Sequence, residues 1–143
     1  RQDYTSYEFR GRCYFFLDNY EEALKNFDKA IELEPNDPDP FDYRGRTEYK
    51  LGDYKNAIKE FDIAEKLSND PTILSKSYFL DIKKDKTYLR LRGLSFKALG
   101  NKQRAKKDLE KAFSLGDKKS EGLLKSLSTF HFLNSLIIKI LKI

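Results

Sequence analysis

The amino-acid sequence predicts an all-α protein, a solenoid of stacked helix-turn-helix units, and three observations carry that expectation. The first is a period. Gly11 and Gly45 lie 34 residues apart, as do Leu17 and Leu51, Tyr20 and Tyr54, Ala23 and Ala57, Phe27 and Phe61, and Ala30 and Ala64. The second is a third copy displaced by 14 residues. Gly93 follows Gly45 by 48, and Leu99, Ala105, Leu109 and Ala112 then keep step. The third is the spacing inside each copy, where apolar residues recur at helical intervals on either side of a short turn. Units repeated at such a period cannot bury their apolar faces alone and must stack. A stack of this kind offers a surface more readily than a catalytic pocket.

Each unit reads as two helices. Tyr7, Gly11, Tyr14 and Leu17 share a face of the first, expected over Tyr4 to Leu17. Gly11 lets a neighbouring helix approach the backbone, a use that must outweigh the roughly 1 kcal/mol glycine costs within a helix. Asp18-Asn19 turns the chain, and Asn19 with Glu22 has capping-box spacing for a second helix over Tyr20 to Leu33. There Ala23, Phe27, Ala30 and Ile31 face inward, and Pro35 closes the unit. In the second unit Asp37-Pro38-Asp39-Pro40 supplies a cap, first-turn prolines and acid at the positive helix end. Gly52 suits a left-handed stop, and Asp53 caps a helix over Tyr54 to Leu67. In the third, Leu89, Gly93, Phe96 and Leu99 form one helix and Gly100-Asn101 turns. Ala105, Leu109, Ala112 and Leu115 line the other.

The expected divisions are 4–37 and 38–71 for the first two units, 72–85 for an insertion, 86–118 for the third unit and 119–143 for a terminal helix. Asp70-Pro71 starts a helix in the insertion. One helix running on to Leu99 is geometrically possible, but Asp85 looks like a fresh cap, so a separate short helix and a loop are expected. Leu123, Leu127, Phe130, Leu133 and Ile137 share a face of the terminal helix, which is expected to cover the end of the stack. Leu136 to Ile143 is more apolar than a cap needs, as for a self-association patch, a missing further unit or a membrane-surface contact. Lys125, His131, Lys139 and Lys142 interrupt the segment too often for a bilayer span.

These residues resemble the tetratricopeptide repeat family. The likeness is carried by Tyr7, Arg10, Gly11 and Tyr14 followed by Ala23, Phe27, Ala30 and Pro35, then by Phe41, Gly45, Ala57, Phe61 and Ala64, and by Leu89, Gly93, Phe96, Ala105, Leu109 and Ala112. Glu48 departs from it, standing where an aromatic residue is usual, and the closing proline is missing after units two and three. The resemblance implies a right-handed solenoid whose concave groove holds a peptide or a partner's helix, without catalysis or cofactor.

If Tyr7, Gly11 and Tyr14 face the partner helix, residues about 80–160° around the axis look elsewhere, at 100° per residue. In unit one these are Thr5, Glu8, Arg12 and Phe15, with Phe16 just beyond. In unit two they are Asp39, Asp42, Arg46, Tyr49 and Lys50, and in unit three Thr87, Arg90, Leu94, Lys97 and Ala98. By the resemblance this strip lines the groove. Aromatic and arginine side chains are common interface anchors. The alternative is that Phe15 and Phe16 complete the core and the charges are solvated. Some members of the family clamp the C-terminal carboxylate of chaperones with Lys and Asn. The matching positions here hold Glu8, Arg12, Tyr43, Thr87 and Leu91, so no binding of such tails is expected.

Composition fits this picture. Of 143 residues, 36% are charged and mean hydropathy is −0.72. The net charge of +5 hides a polarity, since residues 1–71 sum to −6 and residues 72–143 to +11. The basic half, with Lys102, Arg104, Lys106, Lys107 and Lys111, could meet an anionic membrane, while nucleic acid is disfavoured because aromatics do not interleave with the cluster. Arg1 and the lack of methionine suggest a piece of a longer or processed chain. Cys13 is the single cysteine, which excludes an internal disulfide, gives no metal cluster and leans towards a reducing, cytoplasmic setting. Thr47 and Ser95 occupy its place in the other units, so all three are expected to pack between helices. His131 has no catalytic partners, and no phosphate loop or nucleophile elbow is present.

Overall fold

The computed structural model describes residues 2–74 and 86–141. They form eight helices: α1 (Gln2–Phe16), α2 (Tyr20–Leu33), α3 (Pro38–Leu51), α4 (Tyr54–Asn69), α5 (Pro71–Leu74), α6 (Thr87–Ala98), α7 (Lys102–Ser114) and α8 (Lys119–Leu141). Helices α1 and α2, α3 and α4, and α6 and α7 pair, and α2 packs on α3, α4 on α6 and α7 on α8. This is an all-α helical-repeat solenoid. The expected short helix of the insertion begins as α5; the rest of that expectation, and the cap at Asp85, lie outside the described residues. Lys86 precedes α6 without a side-chain cap.

The turns repeat because the chemistry repeats. Side-chain oxygens of Asn19, Asp53 and Asn101 accept from the backbone N–H of Glu22, Asn56 and Arg104, three residues on. One position before each cap has positive φ: Gly52 at 81°, Gly100 at 83° and, without glycine's freedom, Asp18 at 58°. Asp18 Oδ1 accepts a 2.7 Å hydrogen bond from the Tyr20 hydroxyl.

The core is the repeated set. Ala23, Ala57 and Ala105, Phe27, Phe61 and Leu109, and Ala30, Ala64 and Ala112 are all fully buried. Gly11 and Gly45 are where the pairs come closest. A Cβ on Gly11 would sit 2.6 Å from the Phe27 ring, and one on Gly45 would sit 2.9 Å from that of Phe61.

A ladder of arginines ties the units together. The residue before each of these glycines is arginine, and each bonds to the residue sixteen later: Arg10 Nε donates to Asn26 Oδ1 at 2.6 Å, Arg44 Nε to Glu60 Oε2 at 3.0 Å, and Arg92 Nε to Asp108 Oδ2 at 2.7 Å. Two of them also reach back one unit. Arg44 Nη1 donates to Asp28 of α2 at 2.7 Å, and Arg92 Nη1 to Asp62 and Glu65 of α4 at 2.8 and 2.6 Å. Burial would raise the Glu65 carboxyl, but hydrogen bonds from Lys111 and Arg92 outweigh it and hold the group below its usual range.

Thr47 and Ser95 are fully buried as expected, each donating to the carbonyl four residues earlier. Cys13 corrects the expectation for its position: it is exposed. Among the described residues no element lies over that side of α1 as α2 lies over α3.

Candidate partner-binding groove

Helices α1, α3 and α6, the first of each pair, stand side by side, with α3 touching both neighbours. Tyr43 on α3 is the hub of this row. Its ring centre lies 5.9 Å from Phe15 and 6.4 Å from Phe16, both edge-on, and 5.9 Å from Phe27 in a nearly parallel stack. Two guanidinium groups lie over the same ring, Arg12 at 4.8 Å and Arg46 at 5.0 Å. Each contact of that kind contributes about 0.5–1 kcal/mol where water has access. Burial pushes the Tyr43 phenol up, against the opposing pull of Arg12 and Arg46.

Each arginine of the row also has a carboxylate. Arg12 Nη1 donates to Glu8 Oε1 at 3.3 Å, and Arg46 Nε to Asp42 Oδ2 at 2.9 Å. Arg90 Nε donates to Asp117 Oδ2 at 2.9 Å and its Nη2 to Thr87 Oγ1 at 3.3 Å. Ser120 donates to the same Asp117 oxygen at 2.6 Å, which fixes the acceptor from the start of α8. The result is a row of arginines held in place by acids.

The expected strip is brought together only in part. Glu8, Arg12, Phe15, Phe16, Asp42 and Arg46 gather about Tyr43. Tyr49 packs edge-on against Tyr54 at 5.6 Å, and burial raises its phenol too. Asp39 is half-buried near the start of α3, where its N–H donates to Asp37. Leu94 is half-buried, and Lys50 and Lys97 are exposed. Thr5 stands apart, on the outer edge of α1 beside Ser6, Phe9, Arg10 and Cys13. The sequence marks Tyr43 only as a position matching the carboxylate clamp, and does not mark Asp117. Tyr43 was findable, lying three residues before Arg46 and so within one helical turn of it. Asp117, in the turn between α7 and α8, gave no periodic signal.

Among the described residues no group of His, Cys, Asp or Glu could hold a metal ion, and no helix is long and apolar enough to cross a membrane. Two acids outside the groove are raised to near neutrality. Burial pushes Asp37 up to about 7 against its hydrogen bond from Asp39. Burial and the neighbouring Glu60 push Glu48 up to about 7, and its Oε2 is buried without a hydrogen-bond partner.

No curated protein matches the chain. Solved structures do resemble it. The first TPR of Spaghetti (RPAP3), bound to the HSP90 peptide SRMEEVD, is 22% identical with a TM-score of 0.74, over 90% of this chain and 92% of that one. The Arabidopsis OM64 TPR domain is 17% identical with a TM-score of 0.75, over 90% and 97%. The TPR2B domain of yeast Sti1, in complex with pHsp70, is 17% identical with a TM-score of 0.73, over 90% and 98%. At such identities the likeness speaks for the fold. Profiles of the tetratricopeptide repeat match residues 5–37 and 88–115 of the sequence itself. With the period, the buried glycine-aromatic contacts and these matches in agreement, residues 5–37 and 88–115 are tetratricopeptide repeats.

Proposed function

We propose that this protein is a non-catalytic scaffold that holds a peptide or a partner's helix across α1, α3 and α6, with Arg12, Tyr43, Arg46, Phe15, Phe16 and Tyr49 as its contact surface. The observation that carries this reading is Tyr43, ringed by Arg12, Arg46 and three phenylalanines. Similar structures were determined with chaperone peptides, among them SRMEEVD, which supports a peptide as the guest class. The chemistry supports a different peptide here. Glu8 and Tyr43 stand at two positions where a carboxylate clamp needs Lys and Asn, and Arg12 already faces Glu8. The test is affinity capture with wild type against an Arg12→Ala/Arg46→Ala double variant. Loss of the same partner from the variant is expected, and an unchanged set of partners overturns the reading. A peptide ending in Glu-Glu-Val-Asp is expected not to bind; micromolar, carboxylate-dependent binding would refute that part.

Leu136, Ile137, Ile138, Ile140 and Leu141 are exposed at the end of α8, which favours self-association there as a second reading. Sedimentation of wild type against an Ile137→Lys/Ile140→Lys variant tests it, a monomeric wild type being the refuting outcome. Binding to nucleic acid is not part of the proposal, and a salt-titrated gel shift is expected to stay flat.

A further inference from the structure

The arginines of the groove are already occupied. Arg12 holds Glu8 one helical turn before it, Arg46 holds Asp42 at the same spacing, and Arg90 holds Asp117 in the turn before α8. These pairs are sheltered: the Arg46 and Asp42 side chains are only 14% and 4% exposed. Arg46 binds one Asp42 oxygen twice, through Nε at 2.9 Å and Nη2 at 2.6 Å. A guest carboxylate would have to draw a guanidinium off such an acid and leave a sheltered negative charge behind, a loss that offsets the gain of the new pair. Glu8 and Asp42 are also tethered one turn away, at an effective concentration that a free peptide does not match. Lys50 and Lys97 are exposed, where salt screens their attraction for an acid.

What the groove presents to water is hydrocarbon. Leu17, Leu51 and Leu99 stand at equivalent places, at or just past the ends of α1, α3 and α6, by the 34-residue and 48-residue spacings. All three are exposed, and Phe16 beside the first is 69% exposed. Phe16 joins this apolar rim to the arginine row, its ring centre 6.4 Å from that of Tyr43. Exposed apolar side chains grouped in this way mark a contact surface. A surface whose charges are balanced within the chain and whose rim is apolar suits a guest that brings no acid.

We propose, on the basis of the scaffold reading, that Glu8 and Asp42 set the specificity of the groove: by occupying Arg12 and Arg46 they turn away carboxylate-bearing segments and leave the site to uncharged peptide segments whose aliphatic and aromatic side chains lie on Phe16, Leu17 and Leu51. The two acids act against one guest chemistry while the rim favours another. Without both acids, Arg12 and Arg46, 4.8 and 5.0 Å from one ring centre, become a pair of cations that an acidic peptide can meet. Alternate residues of an extended peptide lie about 7 Å apart, which suits a pair that shares one ring.

The probes are two capped pentapeptides, acetyl-Leu-Gln-Tyr-Gln-Leu-amide and the same peptide with Glu for both Gln, titrated into the full chain by calorimetry. Wild type is expected to bind the Gln peptide at least fivefold more tightly than the Glu peptide, with little dependence on salt. Leu51→Ser should weaken that binding threefold or more. Glu8→Gln/Asp42→Asn keeps the size of both side chains. It should raise affinity for the Glu peptide tenfold or more, a gain that high salt removes, and Glu8→Gln alone should give part of it. A wild type that prefers the Glu peptide, or binds neither at millimolar concentration, overturns the proposal, and these outcomes need no variant to fold. So does a double variant with a wild-type melt that gains nothing for the Glu peptide. Capture of a partner that is lost with Arg12→Ala/Arg46→Ala would uphold the scaffold even then, so the two failures are told apart.

Discussion

Gly11 and Gly45 illustrate how much one missing methyl group decides. Each faces a fully buried phenylalanine ring, Phe27 or Phe61, that has nowhere to turn. Alanine at Gly45 should destabilise by about 1–3 kcal/mol, the usual penalty of overpacking, despite its better helix propensity. At Gly93 the added Cβ would meet Leu109 at 3.1 Å and the Ala105 carbonyl at 3.2 Å, looser than the 2.9 Å at Gly45, so the same change should cost less. Denaturant titration of the two variants checks the order. Glu48 is the opposite case, an atom too polar for its place. Burial raises the pKa of Glu48 and Asp37 to about 7, well above their unfolded values. The folded state therefore holds protons that the unfolded state releases. The stabilisation this brings is complete below about pH 4 and is lost as pH rises through about 7. Unfolding free energy should fall between about pH 4 and pH 7 and level off above that. Glu48→Gln should flatten that slope and gain about 1 kcal/mol at pH 8, after discount for the group's partial exposure. A variant whose slope matches wild type would refute this.

Helices, caps and turns were legible in the sequence because each rests on local chemistry. Asn19 and Asp53 cap the helices expected of them, Asn101, expected only in a turn, caps α7, and α2 spans the predicted Tyr20–Leu33. The fully buried alanines and Phe27, Phe61 and Leu109 were legible for the same reason, since a period names the inward face. The groove was less so. Helical angle places Arg12 and Arg46 on one face, but only the pairing of α1 with α3 brings both to Tyr43. The exposure of Cys13 was not legible from its own helix, because burial at that position depends on what packs over it. The arginine ladder has a sequence signal of its own in Arg10-Gly11, Arg44-Gly45 and Arg92-Gly93. Arg92 is its best-buried member, held by Asp108, Asp62 and Glu65. Arg92→Ala should destabilise by about 3–5 kcal/mol, because Asp108 would stay buried without its counter-charge. An Arg92→Met/Asp108→Leu double variant should recover most of that loss. Thermal melts of both decide whether the charge or the packing matters.

Stability should be graded along the molecule. Units two and three are joined by Arg92 and also by Lys111, which reaches Glu65 at 2.6 Å across the interface. Units one and two share the Arg44 bridge to a half-exposed Asp28, a contact that solvent weakens. Helix α1 has one face open, whereas α8 covers α7 with the buried Ser120 and the half-buried Leu123 and Leu127. Amide exchange should thus be fastest in α1 and slowest in α4, α6 and α7. Uniform protection would contradict this gradient. A guest bridging Arg12 and Arg46 would slow exchange most in α1, where there is most to gain.

Because Arg44 and Arg92 each take an acid from the hairpin before as well as from their own, the wiring is indifferent to what the chain does between hairpins. Arg92 meets Asp62 across a connection 14 residues longer than the one Arg44 spans to Asp28. Duplicating or excising a whole 34-residue module, or lengthening the link between two, leaves each surviving cation matched. A gene carrying such a pattern can grow or shrink by modules without stranding a charge inside the protein.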